Sequence, residues 1–266
     1  MEKITLSELN ILLVEPSDTQ RKIITSLLIK ENVGEIDAVS TIADAKTALR
    51  SHGADLVVSA MYFEDGTGLE LLQHIKTESE MQSTPFMLVS SESKLSKLEE
   101  FKQAGIAAIL PKPFQPIHLQ RALNTTLDLI NEEEVELDLF DVKEVRVLLV
   151  DDSKLARNHI RRVLENMGLE KITEAINGAM ALTYLKDEPF DLVVTDYNMP
   201  EMDGRELSEF IRFNARTAHI PIIMVTSEAA DSAKMSNIQQ TGVNALCDKP
   251  FEPQEVRRML VALLGD

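Results

Sequence analysis

Five residues in the C-terminal half of the chain could do chemistry together: Asp151, Asp152, Asp196, Thr226 and Lys249. Each ends or closely follows a short apolar run: Leu148-Leu149-Val150 before the acidic pair, Leu192-Val193-Val194-Thr195 before Asp196, Ile222-Ile223-Met224-Val225 before Thr226, and Ala245-Leu246-Cys247 ahead of Lys249. Runs of this length read as buried parallel strands. In an open α/β sheet, sites are built at the carboxyl ends of the strands. Three carboxylates crowded there repel one another unless a cation joins them. An all-oxygen ligand set with room for water favours Mg2+. The Lys249 ammonium and the Thr226 hydroxyl then call for something negative with acceptor oxygens. A phosphoryl group on Asp196 meets every one of these demands, because Mg2+ and Lys249 would neutralise it and Thr226 would donate a hydrogen bond. Asp196 would be the nucleophile.

The elements that must position these groups occur twice. Leu12-Leu13-Val14-Glu15-Pro16-Ser17 returns as Leu148-Leu149-Val150-Asp151-Asp152-Ser153, and Asp55-Leu56-Val57-Val58-Ser59-Ala60 returns as Asp191-Leu192-Val193-Val194-Thr195-Asp196. Pro85 to Ser91 returns as Pro221 to Ser227, and Pro111-Lys112-Pro113-Phe114 returns as Asp248-Lys249-Pro250-Phe251. The offset is 136 residues from Val14 to Val150 and 137 from Gly105 to Gly242. A period this long means two tandem domains. Strands are expected near 145–150, 171–175, 190–195, 221–226 and 243–247 of the second copy, and helices near 153–166, 178–187, 203–215, 229–241 and 252–264. Leu155, Ile160, Val163, Leu164 and Met167 form the apolar stripe of the first of these helices, with Ser153 as its cap. Strands alternating with helices give an α/β fold, a doubly wound, five-stranded parallel sheet of (βα)5 type in each copy. The first copy repeats the pattern from Asn10 to about Ile130, with Ser17 as its first cap.

The domains are therefore expected at 1–130 and 145–266, joined by residues 131–144. That joint holds seven acids and one base and reads as a solvated spacer. Val135, Leu137, Leu139 and Phe140 could instead pack on a domain, or the segment could prolong the preceding helix. Apolar residues make up 44% of the chain, enough for full cores. The net charge of −17 argues against nucleic acid or an anionic membrane as a partner. A single cysteine, Cys247, excludes a disulfide framework, suggests a buried inert thiol, and points to the cytoplasm. No apolar run reaches membrane-spanning length, and the N-terminus lacks a signal-peptide pattern. Five scattered histidines without zinc spacing are not read as ligands or phosphodonors.

Both copies resemble receiver domains of two-component response regulators. The second has the ordered set in full: the acidic pair Asp151/Asp152, Asp196 within a DxxxPxxxG frame, Thr226, and Lys249 before Pro250. The resemblance implies a flavodoxin-like fold and phosphorylation of Asp196 by a phosphohistidine donor, a histidine kinase or a phosphotransfer protein. It implies no enzyme activity beyond the protein's own phosphorylation and dephosphorylation. It adds a main-chain carbonyl of Asn198 to the metal ligands Asp151, Asp152 and Asp196, and a cis Lys249–Pro250 bond. It makes Asn198 and Glu228 the residues that tune dephosphorylation, in the manner of chemotaxis-type receivers. It also places the docking of the donor on the first helix of this copy, here through Lys154, Arg157 and Arg161. One departure is Leu246, which stands where the family has its aromatic switch.

The first copy departs further. Ala60 replaces the acceptor, Glu15 and Pro16 replace the acidic pair, and Tyr62 and Glu64 replace Asn198 and Pro200, while Ser90 and Lys112 remain. Residues 1–130 are therefore expected to be a pseudo-receiver, with Lys112 pairing Glu15. Glu64 or Asp65 as a displaced acceptor is the weaker alternative. Output is expected through protein–protein or interdomain contacts, with dimerisation open. Two other readings stand beside this one: a phosphorylation-independent interaction scaffold, and the N-terminal part of a longer regulator with a further output domain.

Overall fold

The computed structural model describes residues 3–131, 134–135, 137, 141–226 and 242–265. Glu228, the helix expected near 229–241, and Leu139 and Phe140 of the joint lie outside them. The chain divides into two compact units, Met1–Asn131 and Glu132–Asp266.

In the N-terminal unit, strands β1 (Asn10–Val14), β2 (Glu35–Val39), β3 (Leu56–Ser59), β6 (Phe86–Ser90) and β7 (Ala108–Pro111) form one sheet in the order β2-β1-β3-β6-β7, with every pairing parallel. Helices α1 (Asp18–Lys30), α2 (Ile42–His52), α3 (Gly68–Thr77), α4 (Leu95–Gln103) and α5 (Pro116–Ile130) alternate with them. Between β3 and α3 a short antiparallel hairpin intervenes, β4 (Tyr62–Phe63) with β5 (Gly66–Thr67). All four residues of β3 and all five of β6 are buried, as strands covered by helices on both faces require. Leu13, Val58, Met87 and Leu110 lie within one core cluster with Ile24 and Leu28 of α1 and Leu119 and Leu123 of α5.

The C-terminal unit repeats this with β8 (Arg146–Val150), β9 (Lys171–Ala175), β10 (Leu192–Asp196), β11 (Ile222–Thr226) and β12 (Ala245–Asp248), in the order β12-β11-β10-β8-β9 and again all parallel. Its described helices are α6 (Lys154–Asn166), α7 (Gly178–Asp187), α8 (Gly204–Phe213) and α9 (Pro253–Leu264). Val147, Leu148, Leu149, Leu192, Val193, Ile222 and Ile223 have no exposed surface, and full burial of each such side chain is worth about 1.5–3 kcal/mol. Two flavodoxin-like five-stranded parallel sheets flanked by helices are thus present, as the alternating pattern predicts.

Local signals account for the helix starts. The Ser153 and Ser17 hydroxyls accept from the main-chain N–H groups of Ala156 and Gln20, capping α6 and α1. Asp203 and Glu206 form a capping box on α8, and Thr67 and Glu70 form one on α3.

The joint departs from a solvated spacer. Helix α5 stops at Ile130, because the Asn131 side chain turns back to accept from the Ile4 N–H and donate to its carbonyl, and the Asn131 backbone is extended. Val135 is buried and its N–H donates to the Met167 carbonyl, while Val142 is also buried. Lys143 bridges Glu134 and Glu170. The described part of this segment is therefore anchored to the C-terminal unit.

Candidate functional site

The strand order decides what meets Asp196. β10 is the central strand, so its last residue is flanked by the ends of β8 and β11. Val150 pairs with Thr195 and Asp196 with Val225, which puts Asp151 on one side of Asp196 and Thr226 on the other. Thr226 in turn lies opposite Asp248, so Lys249 leaves β12 at the same edge. The result is a cluster. One carboxylate oxygen from each of Asp151, Asp152 and Asp196 lies within 4.8 Å of the others. Asp151, Asp196, Thr226 and Lys249 are buried, and Asp152 is exposed. The Lys249 ammonium donates to Asp151 Oδ2 at 2.8 Å and sits 3.0 Å from Asp196 Oδ1. Asn198 is exposed, in the loop two residues beyond β10. Lys249–Pro250 is cis, as is Lys112–Pro113.

The electrostatics follow from this crowding. Burial and the neighbouring Asp151 raise the Asp196 pKa to about 7, against the pull of Lys249. Burial likewise pushes Asp151 above the ordinary carboxylate range. Lys249 is held above its ordinary value, because the two carboxylates outweigh its own burial. Three acids against one base leave the cluster short of positive charge. Asp196 Oδ2 is buried and has no hydrogen-bond partner. A hard cation bound by oxygen fits this donor set, since an orphaned buried carboxylate oxygen is costly and cation ligation removes the cost.

Two glycines show how tightly the loop is drawn. A Cβ on Gly204 would come 2.1 Å from the Asp196 carbonyl oxygen. One on Gly68 would come 2.4 Å from the Ala60 carbonyl. In each unit the helix after strand three therefore starts against the backbone of the acceptor position, which only glycine permits.

A scan of protein families matches the response regulator receiver domain at residues 11–124 and again at 147–261. The chain belongs to the response regulator receiver family. It is 36% identical to Chemotaxis protein CheY-3 of Vibrio cholerae over 118 residues, covering 90% of that protein and 44% of this chain. It is 38% identical to a Chemotaxis protein CheY homolog of Campylobacter jejuni over 122 residues, covering 93% of that protein and 46% of this chain. Among solved structures it resembles a sensor histidine kinase receiver domain from Pseudomonas aeruginosa PAO1, described with a magnesium ion coordinated in its active-site cleft. There the identity is 27% and the TM-score 0.43, covering 46% of this chain and 98% of that one.

In this receiver pair, the N-terminal unit carries its counterpart cluster in reduced form. Lys112 pairs with Glu15 Oε2 at 2.9 Å, as its repeat position suggests. Glu15 Oε1 accepts from the Ser17 N–H, just as Asp151 Oδ1 accepts from Ser153. Ala60 supplies only a methyl group. Asp65 is committed elsewhere: its two oxygens accept from the N–H groups of Ile42 and Ala43 at the start of α2, and the Ala43 bond lowers its pKa.

The docking assignment needs correction. Arg157 is buried rather than presented to a partner. Its guanidinium donates to the main-chain carbonyls of Asp151 at 2.6 Å and Asp152 at 3.3 Å, and pairs with Glu174 at 3.1 Å. Arg161 is drawn into the same Glu174 at 2.5 Å and bridges Glu165. Lys154 alone of the three is exposed. Helical spacing cannot reveal this, because the carbonyls and Glu174 that attract the two arginines come from a loop and from β9. Glu174 and the inward role of Arg157 were missed at the level of sequence. One signal was available: the 136-residue offset carries Arg21 onto Arg157 while most neighbouring residues change, and Arg21 likewise donates to the Glu15 carbonyl at 2.7 Å.

Proposed function

We propose that the C-terminal unit accepts a phosphoryl group on Asp196 from a phosphohistidine of a histidine kinase or phosphotransfer protein, and that the N-terminal unit is a pseudo-receiver. The observation that carries the reading is the buried, unpartnered Oδ2 of Asp196 beside Lys249 and the other two acids. Asp151, Asp152, Asp196 and the Asn198 carbonyl would hold Mg2+, which when bound offsets the charge of the incoming phosphoryl oxygens. Asp196 Oδ2 is the atom free to attack phosphorus. The donor imidazole leaves as the new O–P bond forms. Lys249, already at Asp196, neutralises charge on the transferred group, and the Thr226 hydroxyl at the neighbouring strand end donates to one of its oxygens. Hydrolysis by water returns the carboxylate, so the only reactions catalysed are the protein's own. The setting is cytoplasmic, and the signal leaves through protein–protein or interdomain contacts. No helix among the described residues is long and apolar enough to cross a membrane.

The test is intact-mass analysis after incubation with acetyl phosphate and Mg2+. The native chain gains one phosphoryl group and Asp196→Asn gains none. Undiminished labelling of the variant would remove Asp196 from the reaction. A pseudo-receiver reading of the first unit follows from its Ala60 and from the internally matched Lys112–Glu15 pair.

A further inference from the structure

We infer that Arg157, braced by Glu174, is a positioning residue for the metal and phosphoryl site: it fixes the Asp151–Asp152 turn from beneath. This rests on the reading that the site takes Mg2+ and a phosphoryl group.

The argument begins with a mechanical problem. Asp151 and Asp152 must hold their carboxylates near Asp196, although all three repel. Lys249 restrains the side chain of Asp151, but it is one charge shared between two acids. The turn therefore has to be restrained through its backbone. Arg157 does this. It leaves α6 one turn after the Ser153 cap and reaches back under the turn. One terminal nitrogen, Nη1, donates to both carbonyls, and Nε takes the Glu174 carboxylate. Hydrogen bonds from a charged donor are roughly twice as strong as neutral ones, and a planar guanidinium fixes direction as well as distance. Only 9% of Arg157 is exposed, so these bonds form out of water. Glu174 stays ionised: burial opposes this, but Arg161 and Arg157 together hold its pKa below the ordinary value.

The N-terminal unit supplies the contrast. Arg21 keeps the bond to the Glu15 carbonyl, but the position matching Glu174 is Ala38. Its carboxylate partner there is Asp18, whose side chain is 79% exposed. The brace is complete in the unit that has three acids to hold and partial in the unit that has one.

Arg161 makes the control. It shares Glu174, yet none of its described bonds reaches the acidic turn. Isothermal titration of the full chain with Mg2+, and 19F NMR of beryllofluoride binding, read the site without relying on phosphoryl turnover. We expect Arg157→Gln to weaken Mg2+ about tenfold, the range seen when groups that orient metal ligands are lost. Arg157→Lys should weaken it by a smaller factor, and Arg161→Gln should stay within about twofold of native. Circular dichroism checks that each variant is folded. If Arg157→Gln does not fold, Arg157→Lys and Glu174→Gln carry the test. Mg2+ affinity unchanged in folded Arg157 variants, or weakened equally by Arg161→Gln, overturns the inference while leaving the proposed function intact. A native chain that binds neither Mg2+ nor beryllofluoride overturns the proposed function, and the inference with it.

Discussion

At matching places the two units hold very different charge. The N-terminal unit sets one carboxylate, Glu15, against one ammonium, Lys112. The C-terminal unit sets Asp151, Asp152 and Asp196 against Lys249 alone. The first arrangement is balanced and self-contained. The second is balanced only when something positive joins it. Apart from the Tyr62–Thr67 hairpin, the described backbone hardly distinguishes them: both have a lysine before a cis proline, a serine-capped helix with an arginine in its second turn, and a glycine against the acceptor carbonyl. The same receiver fold therefore stands with either charge arrangement, balanced in one unit and imbalanced in the other.

The most damaging challenge to this comparison is removal of the lysine from each unit in metal-free protein. Lys249→Met leaves three acids uncompensated and should cost the C-terminal unit about 4 kcal/mol. Lys112→Met leaves a single buried carboxylate, Glu15, which keeps its bond from the Ser17 N–H, and should cost less, about 2 kcal/mol. Hydrogen exchange resolved by unit reads both, and equal losses would erase the distinction.

Acidity sharpens it next. Asp196 titrates near 3.8 unfolded and near 7 folded, so the folded state binds the extra proton between those values. That contribution to stability is complete below about pH 4 and is lost as pH rises through 7. In the presence of chelator, Asp196→Asn should therefore match the native chain near pH 4. By pH 8 it should exceed it by on the order of 3 kcal/mol. Urea titrations at several pH values will show whether the gap opens in that direction.

How much of this could be read from residue order depends on where the causes lie. Asp196 at a strand end, the Ser153 and Ser17 caps, and the Lys112–Glu15 pair were legible, because each follows from a local pattern carried through a known repeat. The hairpin at Tyr62–Thr67 was not. It depends on a two-residue turn at Glu64–Asp65 and on Asp65 finding the Ile42 and Ala43 N–H groups of α2, 23 and 22 residues upstream. The inward path of Arg157 was hidden for the same reason: its partners are distant in sequence. Val135 reads as one apolar residue in an acidic run, and only the Met167 carbonyl shows that it is anchored.

Smaller effects test the hairpin and the missing acceptor. Asp65→Ala removes the acceptors of the Ile42 and Ala43 N–H groups while the Thr41 cap of α2 remains, and should cost the N-terminal unit about 1 kcal/mol. It should leave phosphoryl uptake from acetyl phosphate unchanged, and any loss of labelling would revive Asp65 as an acceptor. The smallest expected effect is none at all. Ala60→Asp placed in the Asp196→Asn background should gain no phosphoryl group, because Pro16 withholds one carboxylate from the cluster. A labelled first unit would show that the acceptor alone was lacking.

The Lys112–Glu15 pair has a consequence for anything that recognises this molecule. On the proposed function those two charges already cancel, so the N-terminal unit would be indifferent to magnesium supply and to the activity of a kinase. A binder that grips it would learn which protein it has found, whereas a binder that grips the C-terminal unit would learn what has recently happened to it.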